Sequence, residues 1–304
     1  MNAPSRAVSV FFLAVLLTVG FVAPVKGQIL KQLGQLDQAL EKGKKIVKAV
    51  QVVRATFGDF SEEEEYYIGR SVAAIILGRY KALNDPVLNL YVNEVGNAVA
   101  MFSARPEIYA GWHFQVLDTD EVNAVSAPGG MIFVTKGLIK RCSDEESLAL
   151  VLAHEVGHVA ARHGLQSIRK ANLTKAFTSI GMGAIQKYGP SELAQVTSAF
   201  EGVLGDVVDT LVERGYDRKF EYEADAAAVQ TACRAGYDPT GITRFLQTMI
   251  GDQSPVSAKG WFKTHPSPEK RIKQADAEID ELKPVPSAAS VRTMRFASAT
   301  ASIR

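Results

Sequence analysis

The stretch Ser143-Asp144-Glu145-Glu146-Ser147-Leu148-Ala149-Leu150-Val151-Leu152-Ala153-His154-Glu155-Val156-Gly157-His158 decides how the rest of the chain is read. Ser143, with Glu146 three residues later, has the spacing of a capping box, so a helix is expected to start there with Ser143 as its N-cap. Leu148, Val151 and Leu152 carry that helix into His154 and His158, and its end is expected near Gly164. Residues four apart on a helix share a face, their Cβ atoms roughly 5–6 Å apart. Two imidazoles so placed can each reach to about 2.0–2.1 Å from one zinc ion. Glu155, on the adjoining face, is then placed to act as general base on a water at that ion. The competing account is a pair of buried histidines satisfied by hydrogen bonds.

A second feature favours the metal. Arg218-Lys219-Phe220-Glu221-Tyr222-Glu223-Ala224-Asp225 falls on a helix expected over Tyr216 to Ala235, closed by Gly236 and Pro239. Glu221 supplies a carboxylate as third ligand. Asp225, four residues on and on the same face, can take the N–H of a ligand histidine and fix its tautomer. Glu223 points about 200° away at the helical period and is expected in solvent. His163 falls half a turn out of phase with His154, which excludes it from the metal face. His113, beside Trp112 in a strand, is expected to be packed or at the surface.

H-E-x-G-H followed by R-x-x-E-x-x-A-D resembles the gluzincin metallopeptidases of the HtpX-like and BepA-like kind, over about residues 60 to 283. The resemblance implies an α+β, mostly helical zincin-like domain with a small sheet edging the cleft, and one zinc ion per chain. By it His154, His158 and Glu221 bind the metal, Glu155 is the base, and Arg218 is a weaker candidate for oxyanion contact. Asn123-Ala124-Val125-Ser126-Ala127-Pro128-Gly129-Gly130 is similar to the family's edge strand. There an extended peptide can pair with the sheet by β-augmentation, Asn123, Ala124, Gly129 and Gly130 marking the segment; a plain hairpin is the alternative. His265-Pro266-Ser267-Pro268-Glu269-Lys270-Arg271 resembles the family's H-P-x-P-E-x-R segment. His265 is therefore expected either to latch the metal in a resting state, to help an oxyanion, or to be structural. The activity implied is zinc endopeptidase hydrolysis of unfolded or misassembled envelope proteins. The rival is a chaperone or assembly factor with a latched zinc.

Around this centre the chain divides as follows. In Met1 to Gly27, a start with one basic residue, Arg6, is followed by the charge-free apolar run Val8–Val25, the pattern of a secretory signal peptide. Cleavage before Gln28 would release a soluble protein, in the periplasm of a Gram-negative bacterium by the resemblance; without cleavage the run would serve as a membrane anchor. Residues 28–57 read as an amphipathic helix, packed on the core or laid against a membrane surface. Residues 58–283 form the metallopeptidase domain. Within it, helices are expected from Ser61 to about Ala82 and from Pro86 to about Phe102, and strands over Trp112–Leu117 and Met131–Thr135. Residues 165–215, broken by Gly181, Gly183, Gly189-Pro190 and Gly202, are a candidate lid. Residues 284–304, poor in large apolar side chains, are expected to be disordered.

Hydrophobic residues make up 47% and charged residues 22%, enough apolar content for a substantial core. A net charge of +1 gives no electrostatic footprint for nucleic acid and does not choose among other substrates; polypeptide partners are what the family resemblance implies. Cys142 and Cys233 do not make a C-x-x-C pair. They are either one disulfide in an oxidising compartment or two unpaired thiols.

Overall fold

The computed structural model describes residues 60–167, 208, 209, 212, 215–251, 261–265, 268–282 and 289–304. The signal segment 1–27, the helix expected over 28–57 and most of the candidate lid 165–215 lie outside the described residues.

Helix α1 (Glu62–Arg79) opens with acidic side chains and closes on Arg79, the arrangement the helix dipole favours. Helix α2 (Pro86–Ala100) is capped by Asp85, whose carboxylate accepts from Leu88 N at 3.0 Å, and Pro86 occupies a first-turn position where no N–H is needed. Three strands follow: β1 (His113–Leu117), β2 (Ala124–Ala127) and β3 (Met131–Thr135). Their order is β1-β3-β2, with β1 parallel and β2 antiparallel to β3. A short helix, α3 (Lys136–Ile139), leads to α4 (Glu145–Ala160). The chain is described again in α5 (Arg218–Arg234), α6 (Gly241–Gly251), α7 (Trp261–Thr264), α8 (Pro268–Leu282) and α9 (Ala289–Ala299). This is the α+β, mostly helical architecture with a small sheet.

The sheet is buried on both faces because its side chains alternate between two apolar clusters. Ile132 and Val134 join Phe114 and Val116 against α2, α4, α5 and α6. Phe133, Val125 and Ala127 face α1 with Val72 and Ile76. Helix α4 runs through the first of these clusters, every residue from Glu145 to Val159 buried. An all-round buried helix is central to its domain, and this one carries His154, Glu155 and His158.

Two expectations are corrected here, and the alternative left open at the cysteines is decided. The N-cap of α4 is Asp144, not Ser143: its carboxylate accepts from Ser147 N at 2.8 Å and stands one residue nearer the helix. The cysteines are not bonded. Cys142 is turned into the main core with its thiol 3.6 Å from Leu138 O, whereas Cys233 lies half-buried near the end of α5. The disordered tail is not observed over residues 289–304, and the compact unit runs from Phe57 to Arg304. Composition missed it because α9 docks by a few specific groups: Phe296 and Ala299 are buried, and Arg292 and Arg295 reach carboxylates at the start of α4.

Glu145, fully buried, pairs with Arg295 and accepts from Tyr91 Oη (2.9 Å) and Tyr237 Oη (3.2 Å). Burial, followed by the neighbouring carboxylate, raises the pKa of both tyrosines, which remain protonated donors. Arg295 is half exposed, which weakens the pair. Arg295→Ala is therefore expected to cost about 1–3 kcal/mol, the range for a buried group left without its partner and below the loss of a fully buried ion pair. Urea unfolding checks it.

Among the described residues no helix is long and apolar enough to cross a membrane.

Candidate metal centre

Helices α4 and α5 approach closely because a hydrogen fills the place of a side chain at Gly157. A Cβ there would lie 3.2 Å from Ala224 O and 3.3 Å from Ala227 Cβ. Helix α5 ends in a Schellman turn, Gly236 at φ 78° with Tyr237 N bonded to Ala232 O at 2.9 Å. The close packing brings His154 and His158 opposite Glu221. His158 Nε2 lies 3.0 Å from His154 Nε2 and 3.5 Å from Glu221 Oε1, and His154 Nε2 is 3.7 Å from Glu221 Oε2.

His265 enters from the end of α7. Its Nδ1 is 3.3 Å from His154 Nε2 and 2.8 Å from Glu221 Oε2. Trp261 stacks on its ring with centroids 3.9 Å apart, and Trp261 O accepts its backbone N–H at 2.7 Å. The donor atoms of His154, His158, Glu221 and His265 all lie within 4.8 Å of one another, and all four residues are buried.

These residues fit a zinc ion. Ligands at about 2.0–2.1 Å on a tetrahedron are separated by roughly 3.3 Å, close to the spacings observed. Glu221 Oε1 is buried without a hydrogen-bond partner, an acceptor left for a cation. His154 Nδ1 lies 2.8 Å from Asp225 Oδ1 and donates to it, which leaves the Nε2 lone pair directed at the cluster.

Glu155 is buried beside the donors, its Oε1 also without a hydrogen-bond partner and 3.7 Å from His265 Nε2. Arg218, at the exposed start of α5, is not among the buried groups of the centre. The buried guanidinium is that of Arg271, which the sequence reading gave no role. It holds Asp225 through Nε and Nη2, both at 2.7 Å, and brings Nη1 to 3.5 Å from Glu221 Oε2. Only the H-P-x-P-E-x-R resemblance pointed to that residue.

The electrostatics follow from this packing. Burial alone would raise the Glu221 carboxyl, but the charge and hydrogen bond of His265, the nearby His158 ring and the charge of Arg271 together hold it well below the usual range. Burial would also raise Asp225, yet Arg271 and the His154 N–H lower it to about 2. Burial and then the Arg271 charge lower His154, so it is neutral, as a ligand must be. His265 is raised because Glu221, by charge and hydrogen bond, outweighs its burial.

The expected edge-strand residues lie around β2. Asn123 precedes it, Ala124 begins it, and Gly129 and Gly130 form the turn into β3, with Gly129 at φ 71°. A Cβ on Gly129 would also come within 2.7 Å of Tyr66 Cα. Strand β2 is at the sheet edge and entirely buried. Asn123 accepts from Thr264 Oγ1 at 3.2 Å and donates to Val212 O at 3.5 Å, which ties the strand to the segment bearing His265.

With the geometry established, the comparisons are specific. Residues 86–279 match peptidase family M48, a span that takes in every residue of the centre. The chain belongs to peptidase family M48. It is 27% identical over 233 residues to a beta-barrel assembly-enhancing protease of Escherichia coli (strain K12), covering 76% of this chain and 46% of that one. A protein of the same name from Yersinia pestis is 30% identical over 209 residues, 68% of this chain and 42% of the relative. The mitochondrial metalloendopeptidase OMA1 of Schizosaccharomyces pombe is 25% identical over 232 residues, 75% and 65%. The chain thus spans less than half the length of the two bacterial relatives. Helices α1 and α9, which pack on the sheet and on the start of α4 respectively, fall outside the matched span.

Proposed function

We propose that this chain is a single-zinc endopeptidase that cleaves unfolded or misassembled polypeptides of the cell envelope. The observation that carries it is the convergence of His154, His158 and Glu221 beside the unpartnered buried Glu155 carboxylate. His154, His158 and Glu221 would hold one zinc ion, which when bound polarises the scissile carbonyl and acidifies the attacking water. Glu155 takes the proton of that water and returns it to the leaving amine. Strand β2 lies at the sheet edge but is covered, so an extended peptide would pair with its backbone only after that cover is displaced, and selection would then act on unfolded chain rather than on side-chain sequence. The names of the bacterial relatives support an envelope substrate. The apolar leader Val8–Val25 supports export, to the periplasm if cleaved and to the membrane surface if not.

His265 supports a resting state. Its Nδ1 makes a fourth donor, whereas catalytic zinc sites keep a position open. Cleavage then requires His265 to leave its stacking contact on Trp261. His265→Ala is expected to raise casein hydrolysis several-fold while zinc stays at one per chain. An unchanged or lower rate would remove the latch and leave His265 to assist the reaction.

The same closed donor set favours one other account, a chaperone that holds client chains at a permanently latched zinc. It predicts that suppression of casein aggregation persists when Glu155 is replaced by Gln.

A further inference from the structure

His163 is a buried titratable group that the mechanism leaves unused. Helix α4 ends at Ala160, and Arg162 occupies the position after its C-cap with φ 57°, a left-handed conformation usually left to glycine. A non-glycine residue there costs roughly 1–3 kcal/mol and persists only when its surroundings hold it. Glu65 Oε2 accepts from Arg162 Nε at 3.0 Å, and Phe60 O accepts from its Nη1 at 3.3 Å. The sharp reversal swings His163 back beneath the helix, so the phase that excludes it from the metal face does not keep it from a ligand. His163 is fully buried and stacked on Phe220 at 4.2 Å, and its Nδ1 lies 2.9 Å from His158 Nδ1.

We infer that His163 is a positioning residue that holds His158 in its Nδ1–H tautomer, with Glu223 as the charge behind it. The inference rests on the assignment of His158 as a zinc ligand. A neutral imidazole that gives its Nε2 lone pair to a metal carries its proton on Nδ1. That proton is donated to His163 Nδ1, so His163 carries its own on Nε2, which has no hydrogen-bond partner and faces Glu223 Oε2 at 3.5 Å. Glu223 is exposed, as its helical phase implies, and its carboxylate reaches His163 from the solvent side. The two ligand histidines are thus held differently: His154 directly by the Asp225 carboxylate, His158 through a second imidazole.

Zinc affinity of the full chain, by competition with a chromogenic chelator, tests this in the wild type, His163→Asn and His163→Leu. The Asn amide oxygen can stand near the place of Nδ1 as an acceptor; Leu fills the space without one. His163→Leu is expected to weaken zinc binding about 10–100-fold, with His163→Asn recovering most of that loss. Equal affinity in all three, or an Asn variant as weak as Leu, would overturn the relay. A wild type that binds no zinc would overturn the ligand assignment, and the relay with it. Should the Leu variant fail to fold, long-range 1H–15N spectra of the zinc-loaded wild type decide. Protons on His158 Nδ1 and His163 Nε2 support the relay, and the opposite tautomer at His163 overturns it.

Discussion

Glu155→Gln is expected to keep zinc at one per chain and to lower casein hydrolysis by about 10²–10⁴-fold, the usual contribution of a general base. Glu155 is outside the His154, His158, Glu221 and His265 donor set, so the amide leaves those donors in place. The amide is nearly isosteric with the carboxylate and fits the same buried position, so the fold is retained. It cannot accept the proton of the attacking water. Zinc content and hydrolysis measured on one preparation separate loss of the base from loss of the metal. A variant that still cleaves casein at the wild-type rate would place the base elsewhere.

Arg271→Met is expected to destabilise the metal-free protein by about 3–5 kcal/mol, because it leaves buried carboxylates without their cation. Asp225 loses both of its 2.7 Å guanidinium bonds, and Glu221 loses the positive charge 3.5 Å away. The sign with pH follows from Asp225, whose folded pKa of about 2 is below its ordinary value of 3.8. That difference stabilises the metal-free fold above about pH 4, and the contribution is lost as pH falls toward 2. In Arg271→Met the carboxyl rises, so acid unfolding should lose this part of its slope. Urea unfolding at pH 7 and at pH 3 checks both. A loss under 1 kcal/mol at pH 7 would mean that water or His154 alone satisfies Asp225.

Much of the centre is legible in the chain because its chemistry is local. His154 and His158 share a face by helical spacing, as do Glu221 and Asp225, so two short segments carry three ligands and the carboxylate that orients one of them. What spacing hides depends on backbone breaks and on partners far along the chain. Straight-helix phase places His163 away from the metal face, and it is indeed outside the donor set. The reversal at Arg162, tied to Glu65 almost a hundred positions earlier, is what returns it to His158. Arg271 reaches Asp225 from 46 positions away, a contact no periodicity announces. The C-terminal helix was lost for a related reason. Its composition is poor in large apolar residues, but Phe296 and two arginines match specific buried groups at the start of α4. Strands β1 and β3 follow from their β-branched and aromatic content, whereas β2, Ala-Val-Ser-Ala, shows little of it and was marked only by resemblance.

The most direct test of the central claim is casein hydrolysis by the zinc-loaded chain, then after chelation, then after zinc is returned. The account predicts internal cleavage that chelation abolishes and zinc restores, with His265→Ala faster than the wild type. Zinc bound at one per chain, with casein left intact by both proteins, would contradict it and transfer the site to the chaperone account.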